Sequence, residues 1–211
     1  MKRFYRLTEP FAADSIVKNQ GTISRYMYKG ENKWLENAPL EEEARLIIYS
    51  KNKLTDMIKG TCFYGLIVSE RLKNVLLEYN LPENQIFAYT AVHKRTETPY
   101  FWIHFLTLPQ NPPPIDASKT TYYFAEIDPE DTQKSIFKGP FLFDNVEDAL
   151  NRGAFLHDVS DVYLTPAATQ YDLFFARATP HQFIISERLK ERLLVEKFTG
   201  IEIIDVPLIR G

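Results

Sequence analysis

The spacing of apolar and polar residues changes period several times along this chain, and each change marks the boundary of a predicted element. Short apolar runs rich in β-branched and aromatic residues favour strands, whereas apolar residues at i, i+3, i+4 and i+7 favour a helix with one buried face. Strands are predicted at 3–7, 23–28, 45–49, 100–106, 120–127, 161–164 and 173–176. A helix start is predicted at Pro39, and a short helix over 146–152, capped by Asp144 or Asn145 and closed by Gly153.

Two stretches change period in the same way and have nearly the same residues. Segments 67–77 and 184–194 are identical at eight of eleven paired positions, at a constant offset of 117 (184 minus 67). Unrelated segments of average composition share far fewer residues. The sequence therefore predicts an internal repeat, which is a statement about architecture.

Each copy predicts a strand followed by a capped helix. The apolar run ends at Ser69 or Ser186, whose hydroxyl is placed to accept a hydrogen bond from the first helical turn. The first copy then has four apolar residues on one helix face: Leu72, Val75, Leu76 and Tyr79. In the second copy Arg192 replaces Val75, which predicts a narrower buried face, and Gly200 is predicted to be the left-handed residue that ends the helix.

Alternation with period two returns after each helix, at 85–90 and at 201–206, so each unit is predicted to be strand, helix, strand. The similarity extends upstream if one gap is allowed, because Asp56 lies thirteen residues before Ser69 and Asp172 lies fourteen before Ser186. A helix of about ten residues is near the short limit for a parallel crossover, so the pairing direction stays open.

These elements predict an α+β protein with a mixed or antiparallel sheet, short helices and two related strand-helix-strand units. The length of 211 residues fits one large domain or two small ones, and a single domain over 1–211 is predicted, with repeat units at approximately 54–92 and 170–206. A proline-rich stretch near 109–116 cannot donate hydrogen bonds at four of six positions over 109–114, which makes it the expected seam between the halves.

Composition narrows the classes of partner and compartment. The formal net charge is −3 and no block of Lys or Arg stands out, so nucleic acid is not an expected partner. The single cysteine, Cys62, excludes an intramolecular disulfide framework and fits a reducing compartment. No apolar run approaches the ~20 residues of a membrane span, and residues 1–6 lack the apolar core of a signal peptide, so a cytoplasmic location is expected.

The sequence predicts no catalytic residue, metal ligand or cofactor-binding residue. Ser69 and Ser186 lack the glycines of a nucleophile elbow, and an enzyme seldom needs the same nucleophile twice, so both are predicted to be structural helix caps. The histidines, at 93, 104, 157 and 181, lack the spacing of metal ligands. Cys62 has no basic residue or helix start beside it, which favours a small buried side chain over a reactive thiolate.

The motif Leu-Ile-Val-Ser-Glu-Arg-Leu-Lys at 66–73, with Phe-Ile-Ile-Ser-Glu-Arg-Leu-Lys at 183–190, resembles a bacterial family of immunity proteins from polymorphic toxin systems, the type numbered eleven. Segments 100–104, 115–118 and 199–203 are similar to the same family, and the resemblance covers approximately 56–206. It implies a cytoplasmic, non-enzymatic protein that binds and neutralises a cognate toxin protein encoded beside it. The proline insertion at 112–114 and the sparse match over the first fifty residues depart from the family pattern.

A toxin-binding surface is expected to have an aromatic anchor with an acidic rim. Trp34 lies in a polar stretch close to Glu41, Glu42 and Glu43, which makes these four residues the predicted partner interface, although a core tryptophan and solvated glutamates are the plainer interpretation. Two other classes stay open. A small cytoplasmic enzyme would show a polar cleft with converging His157, Asp158 or His104, and a regulatory or scaffold protein would show a large apolar patch or a stable oligomer.

Overall fold

The computed structural model describes residues 3–8, 45–48, 54–58, 65–105, 113–127, 135–151, 155–175, 183–204 and 209–210. These residues form fourteen strands and three α-helices. The strands are β1 Phe4–Thr8, β2 Arg45–Ile48, β3 Met57–Ile58, β4 Gly65–Ser69, β5 Asn84–His93, β6 Thr96–Phe105, β7 Thr121–Ile127, β8 Ser135–Phe141, β9 Phe155–Ser160, β10 Tyr163–Leu164, β11 Leu173–Phe175, β12 Phe183–Ser186, β13 Glu202–Ile204 and β14 Ile209–Arg210. The helices are α1 Glu70–Leu76, α2 Val146–Asn151 and α3 Glu187–Val195, and a 3₁₀-helix covers Pro166–Gln170.

The predicted fold class is confirmed, because antiparallel pairing dominates the sheets and the helices are short. The strands predicted at 3–7, 45–49, 100–106 and 120–127 correspond to β1, β2, β6 and β7. Those predicted at 161–164 and 173–176 correspond to β10 and β11. The predictions at 23–28, Pro39 and Gly153 lie outside the described residues.

The strands on either side of each motif helix run parallel but are not neighbours. The first sheet has the order β2-β5-β6-β4-β3, and β6 is antiparallel to both β4 and β5. The second has the order β11-β12-β1-β13, and β1 is antiparallel to both β12 and β13. Each helix therefore connects two parallel strands across an inserted third strand, which resolves the pairing direction that the sequence leaves open.

The offset of 117 that aligns the two sequences also aligns the pairing registers. Ser69 pairs with Tyr100, and Ser186, which is 117 residues later, pairs with Phe4. Ile86 pairs with Ile103, and Ile203, again 117 residues later, pairs with Leu7. Because 100 minus 4 and 103 minus 7 are both 96, one further constant offset places β1 at the position of β6.

An offset of 116 applies upstream, as the single gap in the sequence alignment predicts. Met57 pairs with Val68, and Leu173 pairs with Ile185. The parallel strand pairs follow the same offsets. Ile48 of β2 pairs with His93 of β5, and Leu164 of β10, which is 116 residues after Ile48, pairs with Arg210 of β14. The first unit is thus β2, β3, β4, α1, β5 and β6, and the second is β10, β11, β12, α3, β13 with β14, and β1.

The two units share one apolar core, called here the central core. From the first unit it contains Met57, Leu66, Val68, Leu72, Val75, Leu76, Ile103 and Phe105; from the second, Tyr5, Leu7, Leu173, Phe183, Ile185, Leu189, Leu193 and Phe198. Leu72, Val75 and Leu76 of the stripe predicted on α1 are buried here, whereas Tyr79 lies beyond the end of the helix and is only partly buried. Helix α3 buries Leu189 and Leu193, the narrower face that Arg192 predicts.

The opposite face of the second unit packs against the segment between the units. Phe4, Phe174 and Ile184 lie in a second core with side chains from β7, α2 and β10. Strands β8, β7 and β9 form a separate antiparallel sheet in that segment. Strands β11, β12 and β1 of the second unit therefore lie between two cores, whereas β13 has Glu202 and Ile204 exposed.

Helix α3 ends differently from the sequence-based prediction. The left-handed residue that follows it is Lys197, with φ +52°, while Glu196 is the C-cap. The amide of Lys197 donates to Leu194 O, and that of Phe198 donates to Leu193 O, the paired bonds that satisfy the last carbonyls of a helix. Gly200 also has a positive φ, +76°, but its place is the turn before β13, where a Cβ would meet Met57 O.

Candidate functional site: two Asp-Ser-Arg clusters

The first cluster forms where β3, β4 and α1 meet. Ser69 Oγ accepts a hydrogen bond from Leu72 N at 3.2 Å and donates one to Asp56 Oδ1 at 3.0 Å. Arg71 adds a fork to the same carboxylate, from Nε to Oδ1 at 3.3 Å and from Nη2 to Oδ2 at 3.0 Å. Ser69 is therefore the N-cap of α1 and also a hydrogen-bond donor to Asp56, the residue that precedes β3.

The second cluster has the same arrangement in a more buried place. Ser186 Oγ accepts from Leu189 N at 3.3 Å and donates to Asp172 Oδ1 at 2.7 Å. Arg188 Nη2 donates to Asp172 Oδ2 at 2.5 Å. Ser186 has no exposed surface and Asp172 is 1% exposed, whereas Ser69 is half-buried.

Each aspartate also binds the loop that follows the helix of the other unit. Asp56 Oδ2 accepts from Thr199 N at 2.9 Å and from Thr199 Oγ1 at 2.8 Å. Asp172 Oδ2 accepts from Asn80 N at 3.2 Å, and Asp172 N donates to Asn80 O at 2.7 Å. The clusters are therefore reciprocal clasps: each holds its own helix start and the helix end of its partner unit.

The motif arginines reinforce this exchange between the units. Arg71 Nη1 donates to Glu196 O at 3.1 Å, and its guanidinium lies 4.0 Å from the centre of the Phe198 ring. In the other direction the Arg188 guanidinium lies 4.7 Å from the centre of the Tyr79 ring. A guanidinium over an aromatic face is attracted by the ring quadrupole, so both arginines link the units by charge and by packing.

The motif lysines lie over equivalent rings. Lys73 Nζ is 3.6 Å from the centre of the Phe101 ring, and Lys190 Nζ is 3.8 Å from that of Tyr5. Phe101 and Tyr5 are related by the offset of 96 that relates β6 to β1. Every polar residue of Ser-Glu-Arg-Leu-Lys other than glutamate thus has the same intramolecular role in both copies.

Electrostatics in the first cluster favour an ionised carboxylate and a neutral phenol. Burial alone would raise the pKa of Asp56, but hydrogen bonds from Arg71, Thr199 and Ser69 outweigh it and hold that pKa below 3.8. Burial, with repulsion from Asp56 added, raises the pKa of Tyr100 to about 12. Tyr100 Oη donates to Thr55 O at 2.7 Å, so this phenol is a structural donor.

The clusters have the geometry of structural joints. A nucleophilic serine needs a base to take its proton, but Ser69 and Ser186 donate theirs to carboxylates that also accept hydrogen bonds from the motif arginines. Each serine oxygen also accepts a helix N–H, which draws electron density away from it. Ser69 and Ser186 cap their helices as the sequence predicts.

The other residues weighed from the sequence do not join these clusters. His104 is buried on the face of the first sheet that points away from the central core, with its ring 4.6 Å from that of Trp102, and His93 lies at the end of β5. His157 and Asp158 are adjacent in β9. His181 and Cys62 lie outside the described residues. In the part of the chain that the structure describes, no group of three or more His, Cys, Asp and Glu side chains could hold a metal ion.

The predicted partner interface of Trp34, Glu41, Glu42 and Glu43 also lies outside the described residues. Within them, large exposed apolar side chains occur at equivalent helix ends: Leu77 follows α1, and Leu194 and Val195 end α3. Leu77 and Leu194 are related by the offset of 117. Their exposed fractions are 46% and 56%, and that of Val195 is 75%.

The sequence predicts that Ser69 and Ser186 cap helices, but it does not predict that each serine binds an aspartate. In the sequence Asp56 and Asp172 mark only the upstream extent of the repeat. A carboxylate at the same position before each serine, after one gap, is nevertheless a signal that both serines bind an aspartate. The binding of each aspartate to the other unit has no local signal, because Asp56 and Thr199 are 143 residues apart.

Comparison with known protein families and with curated proteins finds no match to this chain. Among the described residues, none of the helices is long and apolar enough to cross a membrane.

Proposed function

We propose that this protein is a non-enzymatic, cytoplasmic protein-binding protein, an immunity protein that neutralises a cognate bacterial toxin. The observation that carries the proposal is the repeated Ser-Glu-Arg-Leu-Lys segment at 69–73 and 186–190, which resembles the immunity family. The geometry is compatible with this resemblance, because the motif builds a scaffold and leaves recognition to other surfaces.

A rigid scaffold suits a protein inhibitor. Binding costs less free energy when the binding surface is ordered in advance, and tight inhibitors gain affinity largely in this way. The two clasps and the central core hold the units in one arrangement, so surface loops between the strands are presented from a fixed frame.

The first test is genetic and biochemical. The toxin is expected to be encoded beside this protein, as the variable C-terminal domain of a large polypeptide. Co-expression of that domain should kill cells in the absence of this protein and spare them in its presence, and the two should elute as one complex in gel filtration. A toxin domain that neither binds nor is neutralised would refute the proposal and leave the fold untouched.

The second test concerns the predicted interface. Trp34→Ala is expected to weaken toxin binding by about 2 kcal/mol, the cost of losing an aromatic anchor, and reversing Glu41, Glu42 and Glu43 to lysine should slow association. Titration calorimetry and stopped-flow mixing measure the two effects.

A matched control carries the same change of charge elsewhere. Glu83, Glu191 and Glu202 are exposed, and their reversal to lysine changes the net charge by the same amount. Equal effects from both triple variants would mean that net charge, rather than the 41–43 surface, determines association.

A further inference from the structure

Strands β1 and β6 have equivalent places but different connections to the chain. β6 follows β5 through a two-residue turn at Lys94 and Arg95. β1 pairs with β12 and β13, at 183–204, and precedes the next described strand, β2, by 36 residues (9–44). In the first unit this strand, β6, comes last along the chain. In the second unit its equivalent, β1, comes before all the other strands of the unit.

We infer that the second unit is a circularly permuted copy of the first, and that the slot between β12 and β13 is a binding site for an extended peptide, with β1 as its tethered ligand. This inference is independent of the proposed function.

Pairing on both edges holds β1 in the slot. Four residues of β1 pair antiparallel with β12, and three pair antiparallel with β13. A ligand for this slot must therefore be an extended segment with donors and acceptors free on both edges, the situation of a strand added to a sheet.

Side chains set which segment fits. Tyr5 and Leu7 point to the central core and Phe4 to the second core, and all three are almost fully buried. The N-terminal end is fixed as well, because Glu187 N donates to Arg3 O at 2.9 Å and Tyr5 Oη donates to Glu187 Oε1 at 3.3 Å. The class of ligand is a peptide with aromatic, aromatic, polar and aliphatic residues in succession.

The register also gives the length of the missing turn. In the first unit His93 pairs with Thr96, and Lys94 and Arg95 between them have φ of 48° and 69°. Two successive positive φ values characterise the type I′ hairpin turn, for which Asn-Gly is the preferred sequence. Arg210 stands where His93 stands, at the offset of 117, so a two-residue turn after it leads to the equivalent of Thr96. By the offset of 96 that equivalent is the position immediately before Met1, so the linker from Arg210 to Met1 needs three residues.

The test is a permuted chain that begins at residue 9, runs to Arg210, continues with Asn-Gly-Thr and ends with residues 1–8, so that the added threonine takes the place of Thr96 and Met1 that of Glu97. We expect a monomer with the near-ultraviolet circular dichroism of the natural order and one cooperative melting transition. A permuted chain that is unfolded or aggregated, while the natural order folds, overturns the inference.

The control exchanges two residues of β1 in both chain orders. Tyr5→Arg with Arg6→Tyr keeps the composition but turns a guanidinium toward the central core, so neither order should fold. If the exchanged variants fold as well as their parents, β1 does not occupy this slot and the inference fails.

A second measurement asks whether pairing alone retains β1. A protease site is inserted between residues 9 and 44 of the natural chain, which is cut after folding. The fragment with β1 should co-elute with the remainder and be replaced slowly by an excess of a fluorescent peptide of residues 1–8. Release of the fragment without unfolding of the remainder would show that the slot does not bind an extended peptide.

Discussion

Ser69 and Ser186 occupy the same position in the two copies of the repeat, but Ser186 is more deeply buried, so the two serines are expected to contribute differently to stability. A lost N-cap costs about 1 kcal/mol, which is the expected effect of Ser69→Ala at its half-buried site. Ser186→Ala also removes a donor from the buried Asp172 carboxylate, and a buried group left short of a partner raises the cost to about 2–3 kcal/mol. Urea unfolding measures both values.

The matched control for these variants is Ser→Thr, which keeps the hydroxyl at each position. Equal costs for the two alanine variants would contradict the dependence on burial. A variant that unfolds normally but loses toxin neutralisation would instead give its serine a direct role in function.

Asp56 gives the fold a dependence on pH. Its pKa in the folded protein lies below the value of 3.8 that it has when unfolded, so the contribution to stability is complete above about pH 5 and is lost as the pH falls through the folded pKa. Asp56→Asn should therefore lower the melting temperature at pH 7 and flatten its decline between pH 5 and pH 3. A parallel decline in both proteins would mean that other carboxylates account for the acid sensitivity.

The geometry of these residues explains what the sequence predicted and what it did not. The serine caps, the buried stripe of α1 and the narrower face of α3 depend on residues within one or two helical turns, so local pattern suffices. The clasps join Asp56 to Thr199 and Asp172 to Asn80. Such contacts depend on how the units pack, and no spacing within either segment encodes them.

At the scale of elements, the end of α3 shows where a local rule selected the wrong residue. The sequence predicts Gly200 as the helix cap because glycine tolerates a positive φ, but the left-handed position lies three residues earlier, at Lys197. The pairing of Phe198 with Leu193 in the central core fixes that end, and packing therefore outweighs the backbone preference of lysine.

Lys197→Gly is consequently expected to stabilise the protein by about 0.5–1 kcal/mol, because a non-glycine residue is strained in the left-handed region. The comparison is Gly200→Ala, which should destabilise it, since a Cβ at that position meets Met57 O and Thr55. Thermal and urea unfolding measure both. A Lys197→Gly variant less stable than its parent would place the helix end elsewhere.

The order of the strands in the second sheet is another feature that the sequence does not predict. The alternation of β1 was evident, but nothing in Phe4–Thr8 indicates that it lies between two strands near the far end of the chain. Only the register, with constant offsets of 117 and 96, shows that it replaces β6. The sequence thus predicts the elements of both units and leaves the completion of the second to tertiary pairing.

At the scale of the whole molecule, the shared central core and the reciprocal clasps predict that the units unfold together. Leu193→Ala should cost about 2–5 kcal/mol, the usual range for a buried leucine. Because α1 and β4 contact the same core, their amides should lose protection against hydrogen exchange as much as those of α3 and β12.

The control for this experiment is Asn145→Ala. Asn145 Oδ1 accepts from Asp148 N at 2.9 Å, which makes Asn145, and not Asp144, the cap of α2 in the segment between the units. Its loss should reduce protection in α2 alone. If Leu193→Ala likewise affects only the second unit, the units are independent folding bodies.

The position of β1 has a consequence for the order of events during translation. The ribosome makes this strand well before its partners, because β12 begins 175 residues after β1 ends (183 minus 8) and β13 later still, a delay of at least about 9–35 s at ordinary rates of synthesis. Throughout that time Phe4, Tyr5 and Leu7 have no sheet to enter, while the first unit, with β6 joined directly to β5, has all its strands by residue 105. The first unit can therefore pair its own strands on the ribosome, but its side of the central core stays open until β12 and β13 have been made. The aromatic strand β1 meanwhile remains accessible to chaperones and to aggregation.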